Sequence, residues 1–421
     1  MRMAPTTFIV GFVSDQRQVV IAGGGIAGLE ALMALRDLGG DRLALTLVAP
    51  DPEFTYKPFT VEEPFSFKPA DRFSLEPIVR EFGATFVQDG LTGVDPGRHV
   101  ISLGGGSEVA YDSAVICVGA RQVPAYERAV TFRTTGEPLQ ADELLRESAA
   151  SESRRLALVA PPGATWPLPI YELALMARRR AEQLELRDLE CVIVTPEQAP
   201  LAMFGRVASD AVASLLAARG IRVIASARVT DVEQDALVWM PGHERVGAGA
   251  VLALPSLEGP AIDGLPADEH GFIPIDLHAQ VRGADDVYAA GDGTNFPIKQ
   301  GGLATQQADA AAEHIAASAG APVEPNAFHP VLHGRLLTGE ESLSLAADVA
   351  GGAGEGAASL DYLWWPPHKV SGRYLPAWLA GDEPHADPEP PRHSLEVEVA
   401  LPTEWHREPM ALDPYGSPDV D

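Results

Sequence analysis

A glycine-rich turn near the amino terminus constrains this sequence more than any other feature. A short β-branched run leads directly into G-x-G-x-x-G at Gly23, Gly25 and Gly28. In a strand–turn–helix unit the first glycine permits the tight turn, the second lets a pyrophosphate approach the backbone, and the third lets the helix pack closely on the strand. Ile26 and Ala27 stand at the start of the helix, where free N–H groups bind phosphate.

The residues after this turn have the pattern of a βαβ unit. Leucines and a methionine recur at helical spacing over residues 29–35, two glycines at 39–40 end the helix, and residues 43–48 form a second apolar strand. This context distinguishes a dinucleotide site from a glycine turn that binds no ligand. The sequence therefore predicts a dinucleotide-binding domain at the amino terminus.

The second strand is followed by polar residues that suit a nucleotide. An acidic residue near this position usually binds the ribose hydroxyls. Ala49 occupies the position, and Asp51 and Glu53 follow. The ribose hydroxyls would therefore be bound by one of these two carboxylates or by a backbone group. Lys57, between an aromatic residue and a proline, either pairs with a phosphate or is a solvated surface lysine.

Composition limits the partners of the chain. Its 421 residues exceed one ordinary core, so we expect two or three domains. The formal net charge of −28 argues against a nucleic-acid partner, whose phosphates such a surface repels. No run reaches the roughly 18 apolar residues that span a bilayer. The histidines show no metal-ligand spacing, so we expect no metal site.

The two cysteines, Cys117 and Cys191, both lie in apolar runs that read as strands. This placement favours reduced thiols that pack in a core over a disulfide or a catalytic pair. We therefore expect a cytoplasmic protein.

A second βαβ pattern follows, with a strand from residue 154, a helix at 170–180 and a strand at 191–195. The turn at residues 160–169 lacks G-x-G-x-x-G and contains four prolines. Each proline removes an N–H donor from the place where a phosphate would bind. The pattern predicts a Rossmann-like framework without the phosphate-binding turn of a nicotinamide site.

Four segments occur in an order that resembles a known family. GGGIAG, ICVGA, AAGD and KQGGLATQQAD resemble the flavoprotein oxidoreductases with two dinucleotide-binding domains. Within these the chain is most similar to sulfide:quinone oxidoreductases and flavocytochrome c sulfide dehydrogenases, and more distantly to type II NADH dehydrogenases. The resemblance covers roughly residues 18–321, with a weaker match near 364–378.

The resemblance implies an α/β fold with two Rossmann-like domains, the second inserted in the first. The FAD-binding domain would comprise residues 18–129 and 247–321, the second domain 130–246, and a carboxy-terminal cap with an acidic tail 322–421. The helix beginning near residue 302 would aim its positive end at the flavin, which favours the reduced, anionic form. Asp292 would bind the ribityl chain or a phosphate. The implied cofactor-binding residues are Gly23, Gly25, Ile26, Ala27, Gly28, Ala49, Asp51, Lys57, Cys117, Val118, Gly119, Gly291, Asp292, Lys299, Gly302 and Leu303.

The chain departs from the sulfide-oxidising relatives at one chemical point. Those enzymes form persulfide and disulfide intermediates on a cysteine pair beside the flavin. Here the corresponding turn near Trp166 has no cysteine, and none follows Cys191. Sulfide oxidation by that route has no nucleophile.

A carboxy-terminal segment contains the remaining candidates for catalysis. Trp364 and Trp365 either stack on the flavin or a quinone ring, with Lys369 near a developing oxyanion, or form a satellite core or a homodimer interface. Lys299, Lys369, Trp364 and Trp365 are the candidate catalytic residues. The tail at 394–421 lacks a basic amphipathic pattern, which argues against stable membrane attachment.

These patterns together predict an FAD-dependent oxidoreductase. Two electrons would pass from a small-molecule donor through the flavin to a quinone-like acceptor. One alternative is an NAD(P)H dehydrogenase with an unconventional nicotinamide site. The other is a flavin-bound binding or electron-transfer protein without turnover.

Overall fold

The computed structural model describes residues 16–136, 139–348 and 356–381. The glycine-rich stretch at 351–355 and the acidic tail after residue 381 lie outside these ranges. In the described ranges, no helix combines the length and the apolar character needed to cross a membrane.

The described residues form seven α-helices, four short 3₁₀ helices and twenty-three strands, and the α-helices and strands are numbered here in chain order. The helices are α1 (Ile26–Gly39), α2 (Leu75–Glu81), α3 (Ala141–Ala150), α4 (Leu168–Gln183), α5 (Arg206–Ala218), α6 (Gly301–Ser318) and α7 (Leu375–Ala380). The strands are β1 (Arg17–Ala22), β2 (Leu43–Ala49), β3 (Glu53–Thr55), β4 (Arg72–Ser74), β5 (Thr85–Gln88), β6 (Leu91–Asp95), β7 (Val100–Leu103), β8 (Glu108–Ala110), β9 (Ser113–Ile116), β10 (Arg121–Val123), β11 (Val130–Thr131), β12 (Arg155–Val159), β13 (Glu190–Val194), β14 (Arg222–Ile224), β15 (Arg228–Val232), β16 (Ala236–Met240), β17 (Glu244–Gly247), β18 (Ala250–Ala253), β19 (Ser256–Glu258), β20 (Val287–Ala289), β21 (Val331–Leu336), β22 (Leu343–Asp348) and β23 (Ala357–Ser359).

The first domain is built on a parallel five-stranded sheet in the order β20-β9-β1-β2-β5. Its central strand β1 is almost wholly apolar at its carboxyl half, because helices cover both faces of a doubly wound sheet. Helix α1 packs along α6 and is buried over most of its surface, which explains why its apolar residues are not confined to one stripe. The predicted α/β fold is confirmed.

The second domain carries its own parallel sheet in the order β11-β18-β12-β13-β14. Strand β18 pairs between β11 and β12, so the chain leaves this sheet after residue 253, later than the predicted boundary at 246. The reason is the pairing of residues 250–253 with β12, a long-range contact with no local sequence signal. The antiparallel sheet β15-β16-β17 is attached to this domain.

The cap consists of the antiparallel sheet β21-β22-β23 and the segment that ends in α7. Strand β21 contacts α4 of the second domain and α6 of the first. Helix α7 contacts α1. The cap therefore contacts both the first and the second domain and covers the space between them.

Candidate functional site

The carboxyl ends of β1, β2 and β9 open into a cavity of about 750 Å³. In doubly wound sheets, ligands bind outside these strand ends. The cavity also reaches the turn before α4 and the cap, so all three parts of the molecule contribute to its wall. Every sequence-predicted cofactor residue lines it except Gly28, Gly302 and Leu303. Gly28 packs behind the glycine-rich turn, and the other two belong to the first turn of α6.

The glycine-rich turn has the close contacts that its spacing predicts. A Cβ atom on Gly28 would lie 1.8 Å from the carbonyl oxygen of Gly23, and a Cβ on Gly23 would lie 2.2 Å from that of Cys117. Gly25 is the N-cap of α1, and a Cβ there would meet no protein atom within 4 Å. The open space in front of Gly25 leaves the first N–H groups of α1 free to bind an anion.

Asp292 lies beside this turn although it is distant in sequence. A Cβ on Gly291 would lie 3.3 Å from that of Ala27 in the first turn of α1. The Asp292 carboxylate lines the cavity and has no hydrogen-bond partner among the residues that the structure describes. Burial raises its pKa, and the positive charges of Lys299 and Lys57 oppose the rise. The structure thus brings a carboxylate without a hydrogen-bond partner and two lysines close to the amino terminus of α1.

Lys299 supplies a buried positive charge next to the amino terminus of α6. Its Nζ donates to the carbonyl oxygen of Thr294 and lies 3.9 Å from the centroid of the Phe272 ring. Burial lowers the pKa of Lys299 to about 8, and neighbouring carboxylates oppose the fall. The helix is capped by the side chain of Gln300, which accepts the backbone N–H of Leu303 at 2.9 Å. The lysine and the helix end present positive charge to the same wall of the cavity.

The cap contributes Lys369, which forms a buried ion pair with Glu172 of α4. The Lys369 Nζ lies 2.8 and 3.0 Å from the two carboxylate oxygens and 2.6 Å from the carbonyl oxygen of Pro58. The side chains are 8% and 0% exposed, and both residues line the cavity. Burial lowers the pKa of Lys369 and raises that of Glu172, and their attraction opposes both shifts.

Glu172 is absent from the residues predicted from the sequence. Its signal is a carboxylate inside the apolar run of α4, where most neighbours are fully buried. A carboxylate is rarely buried without a partner, so such a position predicts a distant cation.

The turn that leads into α4 offers few N–H groups to a phosphate. Pro167 is the N-cap of α4 and Pro169 is its second residue, so the first turn has few free N–H groups. The Trp166 ring lies edge-on to Phe204, with ring centroids 5.8 Å apart. An aromatic side chain therefore stands on the cavity wall in the turn just before α4.

In the second domain, the acidic residue that follows the second strand is already hydrogen-bonded to other residues of the same domain. Glu197 follows β13, at the place where such domains bind ribose hydroxyls. Its Oε2 accepts the hydroxyl of Tyr171 at 2.6 Å and that of Thr195 at 3.0 Å. Burial raises the pKa of Glu197 to about 7. The carboxylate that a nicotinamide nucleotide would need is held by groups of its own domain.

We expect Glu197→Gln to change how stability depends on pH. Because burial raises the folded-state pKa to about 7, this group stabilises the fold fully below its ordinary pKa of 4.5, and the contribution is lost as the pH rises through about 7. The amide cannot ionise but still accepts from Tyr171. Relative to the wild type, the variant should gain roughly 3 kcal/mol of unfolding free energy between pH 4 and pH 8. Urea unfolding at the two pH values measures it, and parallel changes in both proteins would contradict the expectation.

Neither candidate tryptophan reaches the cavity wall. The Trp364 ring is buried and stacks on His333, with centroids 4.9 Å apart and planes 17° apart. Its Nε1 donates to the carbonyl oxygen of His368 at 3.0 Å. Trp365 is 49% exposed. Of the two alternatives, the structure favours packing for Trp364, which is buried within the cap, and it places Trp365 at the surface.

The two cysteines are buried, unpaired and in different domains. Cys117 follows β9 and lines the cavity, and Cys191 is in β13. Burial raises the pKa of each thiol to about 12, so neither forms a thiolate at neutral pH. Among the residues that the structure describes, no three histidine, cysteine or acidic side chains cluster as metal ligands do.

Comparison with known proteins identifies the family. The sequence pattern described as "Pyridine nucleotide-disulphide oxidoreductase" matches residues 17–314. The chain belongs to this family. Members are FAD-dependent oxidoreductases, and the cofactor of this oxidoreductase is FAD.

Solved structures share the fold at low sequence identity. The sulfide:quinone oxidoreductase of the hyperthermophilic bacterium Aquifex aeolicus is 22% identical with a TM-score of 0.71, over 79% of this chain and 84% of that one. The ferredoxin reductase for the CYP199A2 system of Rhodopseudomonas palustris is 19% identical with a TM-score of 0.58, over 80% and 84%. NDH2 from Plasmodium falciparum, solved with NADH, is 16% identical with a TM-score of 0.51, over 66% and 64%.

The cavity fits FAD by its own geometry. An open cradle at Gly25 and a free helix terminus suit the pyrophosphate. The unpartnered Asp292 carboxylate suits the hydroxyls of a ribityl chain. The volume of about 750 Å³ lies within the range of cofactor sites.

Proposed function

We propose that this protein passes electrons from a small-molecule donor, through FAD, to a quinone-like acceptor, in the sulfide:quinone oxidoreductase-like branch but without a catalytic cysteine pair. The observation that carries the proposal is the buried Lys369–Glu172 pair on the wall of the FAD cavity. A quinone takes up two protons with its two electrons, so a proton donor at this wall matches that acceptor. The two buried, reduced thiols agree with a cytoplasmic location.

Different residues of the cavity would bind FAD and favour its negatively charged form. FAD supplies the two-electron chemistry when bound. The turn from Gly23 to Gly28 and the amino terminus of α1 bind the pyrophosphate. Asp292 accepts hydrogen bonds from sugar hydroxyls. Lys299 and the end of α6 provide positive charge that favours a negatively charged flavin.

Lys369 holds a proton at Nζ and Glu172 keeps that proton in place. The carboxylate and the carbonyl oxygen of Pro58 orient the ammonium, while burial lowers its pKa and makes the proton easier to give up. A proton taken up from water at the cavity wall returns to Nζ and restores the ion pair with Glu172. Cys117 is the cysteine on this cavity wall, and burial raises its pKa, which argues against a persulfide route to sulfide oxidation.

The test is a donor and acceptor screen on the purified flavoprotein. Steady reduction of a soluble quinone with a non-nucleotide donor supports the proposal. In stopped-flow mixing with NADH or NADPH we expect no rapid bleaching of the flavin, because Glu197 is hydrogen-bonded within its own domain and the proline-rich turn offers few N–H groups to a phosphate. Rapid bleaching would establish the NAD(P)H dehydrogenase alternative. Failure of every donor and acceptor pair would leave a flavin-bound protein without turnover.

A further inference from the structure

Glu30 is a buried carboxylate that the proposed chemistry does not use. It lies one turn into α1 and is fully buried. Its Oε1 accepts the backbone N–H groups of Arg373 and Tyr374, each at 2.8 Å, and its Oε2 accepts that of Leu375 at 2.6 Å. Burial raises the pKa of Glu30, and these three N–H groups and the charge of Arg373 oppose the rise. One side chain thus accepts hydrogen bonds from three consecutive backbone N–H groups that lead into α7.

The anchored backbone is continuous with the cap residues on the cavity wall. Only a few residues separate Arg373 from Lys369 and Val370. Between them the carbonyl oxygen of Ser371 accepts the hydroxyl of Thr305 in α6 at 2.8 Å. A Cβ on Gly301 would lie 2.9 Å from a Val370 methyl group, so the cap rests directly on the start of α6.

The other carboxylates that hold this end of the cap are weaker anchors. Asp37, on an exposed position of α1, accepts the hydroxyl of Tyr374 at 2.9 Å. Glu313 lies 3.7 Å from a guanidinium nitrogen of Arg373. The Asp37 contact is exposed and contributes little, and the Glu313 pair is longer than a hydrogen bond, whereas the buried Glu30 carboxylate is held by three short backbone hydrogen bonds.

We propose that Glu30 is a positioning residue that seats the cap on the cavity and thereby places Lys369 against Glu172. Helix α1 then has two roles, because its amino terminus binds the pyrophosphate and its second turn anchors the proton-donating segment. The placement of the cap follows from the contacts above, and its importance for turnover rests on the proposed function.

The test uses trypsin on the flavin-loaded protein, with cleavage after Lys369 and Arg373 followed by mass spectrometry. Glu30→Leu removes all three acceptor contacts, so we expect cleavage at these bonds to become at least about a hundredfold faster. Glu30→Gln keeps one acceptor oxygen and turns an amide group against the remaining N–H, so we expect about a tenfold increase. Asp37→Asn, on the same helix and against the same cap residue, should change the rate less than twofold. Flavin absorbance, read in parallel, should stay at the wild-type level in Glu30→Gln.

The outcomes separate this inference from the proposed function. Cleavage of Glu30→Leu at the wild-type rate, or loss of flavin from Glu30→Gln without cleavage of the cap, would overturn it. Where the wild type turns over, kcat should fall with little change in KM, and Glu30→Gln should recover part of the loss relative to Glu30→Leu. If no donor and acceptor pair supports turnover, the proteolysis result still decides the role of Glu30, and only the proposed function fails.

Discussion

Replacing Gly25 with alanine is expected to weaken FAD binding on the order of a hundredfold while the protein stays folded. Alanine adopts the backbone angles of Gly25, φ −89° and ψ −166°, without strain. Its Cβ meets no protein atom within 4 Å, so the methyl group projects only into the space proposed for the pyrophosphate. A loss of about 2.7 kcal/mol of binding free energy corresponds to that factor. Titration of the apoprotein with FAD, followed by visible absorbance, measures it.

Gly28→Ala is the matched comparison, because it adds the same methyl group to the same motif but places it against the protein backbone instead of in the cavity. Its Cβ would lie 1.8 Å from the carbonyl oxygen of Gly23, so α1 must move away from β1. We expect a lower midpoint of urea unfolding together with lost FAD, whereas Gly25→Ala should keep the wild-type midpoint. Wild-type FAD affinity in Gly25→Ala would show that the phosphates do not approach this glycine.

The parts of the fold that depend on local sequence were predictable. A glycine-rich turn between an apolar strand and a helix specifies its own backbone, and parallel strand ends meet at one edge of a sheet. The cavity therefore contains most of the residues that the motifs indicate, including Gly25 and Asp292 on widely separated parts of the chain. The pairing of residues 250–253 in the second sheet had no such local signal, because an apolar strand such as β18 fits either of the two parallel sheets equally well.

The residues that sequence reasoning missed are those whose partners are far away. Glu30 and Glu172 each interrupt an apolar helical run, and their partners in the cap lie 344 and 197 positions later. The run itself predicts burial, and a buried carboxylate requires donors, but the sequence does not say which donors. The sequence left two alternatives for Trp364 for a related reason, because an aromatic side chain packs equally well on a cofactor or on His333.

Lys369→Met is expected to destabilise the protein by about 3–5 kcal/mol and to abolish most quinone reduction. The change leaves Glu172, which has no exposed surface, without its cation, and an uncompensated buried charge carries a cost of this size. It also removes the proton held at Nζ on the cavity wall. Urea unfolding measures the first effect and steady-state quinone reduction at saturating donor measures the second.

Stability and chemistry separate in the double variant Lys369→Met/Glu172→Gln. The amide cannot carry a charge, and its oxygen still accepts the backbone N–H of Leu337, which Glu172 holds at 2.8 Å in the wild type. Neutral replacement of a buried ion pair usually restores stability, so we expect most of the lost unfolding free energy to return. Quinone reduction should not return, because neither side chain then carries an exchangeable acid proton. A double variant that turns over at the wild-type rate would show that the pair only holds the cap to the second domain, and the proton donor would have to be sought elsewhere on the cavity wall.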